Sequence, residues 1–146
     1  MPISHDQAHH PEIAACRWFP GDATSIRDVR RFITTHLNGC PRSDAAALLA
    51  SELATNALHH TLSSNWTTGF HVTIEHTPTQ HARVTVHDAG SWNNTPHLTQ
   101  PGPDTEHGRG LYLVDTIADH WGTHTDTTGR KTWATLHCHS PAPHNL

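Results

Sequence analysis

Glu52 and Asn56 stand one helical turn apart in Ser51-Glu-Leu-Ala-Thr-Asn-Ala-Leu-His-His60, a segment otherwise rich in Ala and Leu. Successive helix positions rotate by about 100°. Glu52, Asn56 and His60 therefore fall on one flank of the apolar stripe made by Ala46, Leu49, Ala50, Leu53 and Ala57. A carboxylate and an amide along the edge of a core-facing stripe are costly to desolvate unless something pairs with them. A hydrated divalent cation with a polyanionic ligand would supply that partner.

Two other places have residues suited to the same ligand. Asp88 continues the alternating series Ala82, Val84, Val86, so its carboxylate is expected to point inward with them. Thr132 opens a second inward series, Thr132, Ala134, Leu136, Cys138. A carboxylate and a hydroxyl at the floor of an apolar pocket suit an adenine ring, whose exocyclic amine donates while its flat face takes apolar contact. A strand-end Asp turned to solvent is the plainer alternative. Gly90, two residues on, lets a backbone approach a ligand closely. Gly108-Arg109-Gly110 directly precedes a predicted helix, where unpaired N–H groups and the helix dipole favour phosphate. Arg109 can add a charge-assisted bond. The competing reading of a lone G-x-G is a flexible loop joined to an ordinary helix.

The elements that must hold these groups follow from periodicity. Residues 1–13 carry little apolar content and read as a loose tail, 14–139 as one folded domain, and 140–146 as a second tail. Ala14 to Phe19 reads as a first strand. Asp22 or Thr24 can cap a helix in which Ile26, Val29, Ile33 and Leu37 recur at helical spacing, stopped by Asn38-Gly39 and Pro41. Ser43 or Asp44 opens a second helix running to about His60 or Thr61. Phe70, Val72 and Ile74, then Ala82, Val84 and Val86, predict an antiparallel hairpin turning at Pro78 to Gln80. Ala89 to His107 lacks periodicity and carries Pro96, Pro101 and Pro103, as a functional lid or a disordered loop would. A helix with Leu111, Val114 and Ala118, a turn at Gly129 and a last strand complete the chain. The predicted class is α+β, a two-layer α/β sandwich with helices on one face of a mainly antiparallel sheet.

Composition excludes several functions. The chain has 146 residues, enough for one sizeable core. Nine Lys plus Arg against thirteen Asp plus Glu leave no basic patch for nucleic acid. Lys131 is the sole lysine and no GxxxxGK[ST] occurs, so a P-loop is excluded. Cys16, Cys40 and Cys138 are isolated, with no CxxC, as in a reduced cytosolic protein. The N-terminal residues carry no basic-then-apolar leader pattern, and no apolar run approaches the ~18 residues of a membrane span. A soluble cytoplasmic protein is expected. Seventeen histidines invite a metal reading, but they are scattered rather than spaced as ligand sets.

In chain order the motifs resemble the GHKL (Bergerat-fold) ATP-binding superfamily, and most closely the small bacterial anti-sigma-factor serine kinases. Glu52-Leu-Ala-Thr-Asn56-Ala57-Leu-His-His60 looks like their N box. Val86-His-Asp88-Ala-Gly90 looks like the first glycine box, Gly108-Arg-Gly110-Leu111-Tyr-Leu-Val114 like the second, and Gly129-Arg-Lys-Thr132-Trp-Ala-Thr-Leu136 like the terminal threonine motif. The likeness spans about Phe19 to Cys138. It implies ATP and Mg²⁺ as ligands, with Asn56 holding the cation and Glu52 as general base toward a serine hydroxyl. It further implies Asp88 on the adenine amine with Thr132 in support, and phosphate at Gly108, Arg109 and Gly110, with His60, Gly90 and Leu111 completing the nucleotide motifs. Its partners are a sigma factor and an anti-anti-sigma protein, and such kinases are commonly homodimers. One departure is plain: Trp92 stands where the second glycine of D-x-G-x-G belongs. Retention of Glu52 favours an active kinase; Trp92 favours a catalytically weak nucleotide-binding interaction module.

Overall fold

Alternation of apolar and polar residues builds a five-stranded antiparallel sheet, and amphipathic segments between the strands cover one of its faces. A computed structural model describes residues 13–64, 69–88 and 106–139, with side chains at 14–59, 69–88 and 111–139. In chain order the elements are β1 (Ile13–Pro20), α1 (Ser25–His36), α2 (Ser43–Ser64), β2 (Gly69–Thr77), β3 (His81–Asp88), α3 (Glu106–Ile117), β4 (His120–Asp126) and β5 (Gly129–His137). The strand order is β1-β2-β3-β5-β4, with every neighbouring pair antiparallel. The α+β two-layer architecture predicted from periodicity is the one observed.

Register places the apolar positions on one surface. Val72 pairs with Val86, Ile74 with Val84, and Val84 in turn with Ala134, all buried. Phe19 of β1 stacks on Phe70 of β2 with ring centroids 5.9 Å apart and meets Phe32 of α1 edge-on at 5.8 Å. The hairpin turns at Thr79, whose φ of 66° is the positive-φ conformation of that tight turn, closed by Gln80 N–H donating to the Thr77 carbonyl at 2.9 Å.

The helix starts and stops have local causes. Asp22 accepts from the Thr24 N–H at 2.8 Å, and the Ser25 hydroxyl donates to the Pro20 carbonyl at 2.7 Å, which turns the chain into α1. Gly39, at φ 94°, ends that helix in the left-handed conformation that glycine adopts without strain. Of the two expected caps, Asp22 is the one that bonds, through an Asx turn; Thr24 makes no side-chain cap bond.

Helix α2 lies at the centre of the helical layer, between α1 and α3 and over β2, β3 and β5. Its six alanines and five leucines favour a helix. They also let it be covered on nearly every side: between Ser43 and His59 only Asp44 is exposed. The predicted stripe Ala46, Leu49, Ala50, Leu53 and Ala57 is buried, and Ala47, Ala54 and Leu58 join it. Leu53→Ala should therefore cost about 3 kcal/mol, within the ~2–5 kcal/mol range for a fully buried leucine. Urea titration would show this as a lower midpoint at unchanged m-value. A cost below ~1 kcal/mol would mean that α2 is not enclosed in this way.

Three features differ from the sequence reading. Helix α2 continues to Ser64, a turn beyond the expected end. Helix α3 begins at Glu106, so Gly108-Arg109-Gly110 lies within its first turns rather than ahead of it. Strand β4 was not expected at all. Its sequence, His-Trp-Gly-Thr-His-Thr-Asp, lacks apolar alternation because it forms a sheet edge with mostly exposed side chains. Trp121 anchors it, donating from the indole N–H to Asp115 of α3 at 2.9 Å.

Candidate functional site

The buried face of the sheet carries two polar groups at one end. Asp88, the last residue of β3, is 2% exposed, and Thr132 of β5 is 4% exposed. Val86 pairs with Thr132 and Asp88 with Arg130, so Thr132 lies diagonally beside Asp88 on the inner face. The inward orientation expected for both is the one observed; Asp88 does not turn to solvent. The Thr132 hydroxyl lies 3.3 Å from that of Thr123 on the edge strand, which extends the polar floor by one strand.

Arg130 was not anticipated as part of this floor. The inner-face series of β5 begins before Thr132, because the same period-2 phase runs back to Arg130. Its Nε is 3.9 Å from Asp88 Oδ2, and its side chain is 20% exposed. Burial pushes the guanidinium below its usual value, and the opposite charge of Asp88 partly restores it. Its Nε and Nη2 are buried with no hydrogen-bond partner among the described residues. Unmet donors of this kind cost free energy, so the floor has spare capacity for an acceptor.

Glu52 and Asn56 enter from the helical layer. Asn56 is 6% exposed and Glu52 half-buried. At i, i+4 their Cβ atoms are about 6 Å apart on one flank of α2. The neighbouring polar side chains are accounted for by the helix itself: Ser51 donates to the Leu48 carbonyl at 3.1 Å and Thr55 to that of Ser51 at 2.7 Å. The start of α2 is fixed near the end of β5, where Arg42 Nη1 donates to the His137 carbonyl at 3.3 Å. His137 pairs with His81, the first residue of β3. From Arg42 to Asn56 a helix rises about 21 Å, and from His81 to Asp88 a strand rises about 23 Å. Because α2 packs along β3, its later turns advance toward the Asp88 end of the sheet.

Helix α3 packs beside α2. The first four N–H groups of any helix lack intrahelical acceptors. With Glu106 as the first helical residue, that of Gly108 is among the four. Gly108 thus stands in the first turn of α3, the kind of position that suits an anion. Leu111 is half-buried on this helix and Val114 fully buried. Gly90, Trp92 and most of the expected lid lie outside the described residues, as do the side chains of His60 and Arg109.

A family model for the histidine kinase-like ATPase domain matches residues 19–136, most of the chain. The chain belongs to this family. No curated protein matches it. Among solved structures, the chain is similar to the crystal structure of the RsbU and RsbW domains of Rv1364c from Mycobacterium tuberculosis, with TM-score 0.64 and 17% identity. That match covers 86% of this chain and 32% of the other, so this chain spans about a third of its length. At such identity the likeness is one of fold.

Proposed function

We propose that this protein binds ATP with Mg²⁺, transfers the terminal phosphoryl group to a serine of an anti-anti-sigma protein, and sequesters a sigma factor as its other partner. The observation that carries the reading is the buried Asp88 carboxylate beside the Thr132 hydroxyl, two polar groups on an otherwise apolar wall. The residues fit the ligand. A carboxylate accepts from the adenine amine, the Asn56 amide oxygen is a hard ligand for a divalent cation, and the start of α3 offers N–H groups to phosphate.

Bound Mg·ATP would supply the transferable phosphoryl group and the divalent charge that offsets its oxygens. The chain's own part is positioning and proton handling. Asp88 and Thr132 fix the base, the first turn of α3 orients the phosphates, and Glu52 accepts the proton of the incoming serine hydroxyl. Among the described residues no helix is long and apolar enough to cross a membrane, and cytoplasmic placement belongs to the same proposal.

A second reading, a nucleotide-binding interaction module with little transfer activity, is favoured by Trp92 at a glycine position of the first glycine box. A pull-down from the host cell with and without ATP, followed by a transfer assay on the retained proteins, separates the two. Normal Mg·ATP binding with no phosphate on any retained partner would select the second reading.

Asn56→Ala tests the cation assignment. The side chain lies at the edge of the core stripe, so its truncation leaves no large cavity. Calorimetric ATP affinity should lose most of its Mg²⁺ dependence while the thermal midpoint changes little. A variant that bound Mg·ATP as wild type does would remove Asn56 from the cation site.

A further inference from the structure

Cys40, His76 and Cys138 come from three separate parts of the chain, and their ligand atoms lie within 4.8 Å of one another. Cys40 belongs to the connection between α1 and α2, His76 to the inner face of β2, and Cys138 directly follows β5. His76 is 6% exposed, Cys138 is 3% exposed and Cys40 is half-buried. Cys138 Sγ is 3.6 Å from His76 Nε2. A free buried cysteine alone is ordinary packing. A histidine is less ordinary as the next inward residue after Phe70, Val72 and Ile74, where an apolar side chain would continue the series.

We propose that Cys40, His76 and Cys138 form a Cys₂His site for a thiophilic divalent cation of the Zn²⁺ class. Tetrahedral zinc holds sulfur at about 2.3 Å and nitrogen at about 2.0–2.1 Å, which sets an S···N edge of about 3.6 Å. The Cys138–His76 separation already has that length, so Cys40 closing on them completes a three-residue face. Water takes the fourth position. Two thiolates and a neutral imidazole balance a divalent charge, so the cluster is neutral and its burial is tolerable. Each thiol releases its proton to solvent on binding, two per cation. The Arg42 backbone N–H already donates to Cys40 Sγ at 3.4 Å, the kind of outer contact that orients a thiolate ligand.

The site is distinct from the nucleotide floor. His76 pairs with Ala82 near the start of β3, whereas Asp88 is the last residue of that strand. A cation here would fasten the entry of α2 to the ends of β2 and β5. The sequence conceals it because the three residues are separated by 36 and 62 positions, with none of the short spacings that mark zinc motifs.

The test uses the full-length reduced protein, stripped of metal and titrated with Co²⁺ and then Zn²⁺. The seventeen histidines make weak adventitious binding certain to interfere, so the readout must report sulfur. One equivalent of Co²⁺ should give a thiolate-to-cobalt charge-transfer band with tetrahedral d–d bands, and Zn²⁺ should displace it. Zn²⁺ should also slow alkylation of Cys40 and Cys138 while leaving the exposed Cys16 unprotected. His76→Gln and Cys138→Ala should each weaken binding by more than the ~10- to 100-fold typical of outer-shell changes. The alkylation arm needs only the wild-type protein, so a variant that fails to fold does not blunt the test. Cobalt binding without a thiolate band, or equal alkylation of all three cysteines with and without Zn²⁺, would overturn the proposal. So would reduced protein that takes up no metal yet forms a Cys40–Cys138 disulfide under mild oxidant.

Discussion

Glu52→Gln is expected to slow phosphoryl transfer to the cognate serine protein by about 10²- to 10⁴-fold, with little change in ATP affinity. Glu52 is half-buried on the same flank of α2 as Asn56. A general base acts on the nucleophile and need not touch ATP in the ground state. Glutamine keeps the size and hydrogen-bonding shape of the side chain but cannot accept the proton, so the helix and its packing should survive. An interaction made only in the transition state lowers kcat and kcat/KM together, and single-turnover transfer from labelled ATP would report that directly. The substrate must be the intact partner protein, because short serine peptides lack a docking surface. Transfer by Glu52→Gln at the wild-type rate would leave the kinase standing and assign the base to another residue.

The sequence made the core and its polar exceptions readable for one physical reason. Where a segment has one face in the core, its periodicity reports the face, and a charged or amide residue in that phase is conspicuous. Asp88 was legible because it continues Ala82, Val84 and Val86, and Asn56 because it borders an Ala/Leu stripe. Strand β4 was illegible because an edge strand with solvated side chains has no such phase to reveal; only the close approach of Gly122 to the Trp133 ring marks it, visible once the fold is known. Arg130 was missed for a different reason. An arginine at the start of a strand reads as a surface residue, and its burial depends on Asp88 directly across the strand pair. The Cys40, His76 and Cys138 cluster is a purely tertiary feature, since the connection before α2, the inner face of β2 and the end of β5 meet only after folding.

The opposed charges of Asp88 and Arg130 allow base recognition to be separated from stability. Asp88→Asn leaves the Arg130 guanidinium mostly buried with its opposite charge removed, a loss that costs about 3–5 kcal/mol in buried pairs. The 3.9 Å separation argues for the lower end. The same substitution removes the charged acceptor for the adenine amine, worth about 1.5–3 kcal/mol, or roughly 10- to 100-fold in ATP affinity. Stability and recognition would thus fall together, and the single variant cannot say which loss caused the other. Replacing both partners resolves this. In Asp88→Asn with Arg130→Met no unpaired charge is left, and most of the stability should return, as it does when buried pairs are exchanged for neutral side chains. Preference for ATP over GTP should not return, because the charged acceptor is still missing and the introduced amide can donate as readily as accept. Chemical denaturation and competition calorimetry on wild type, both single variants and the double variant complete the cycle. A double variant that regained stability and still chose ATP over GTP would show that Asp88 holds Arg130 in place and does not read the base.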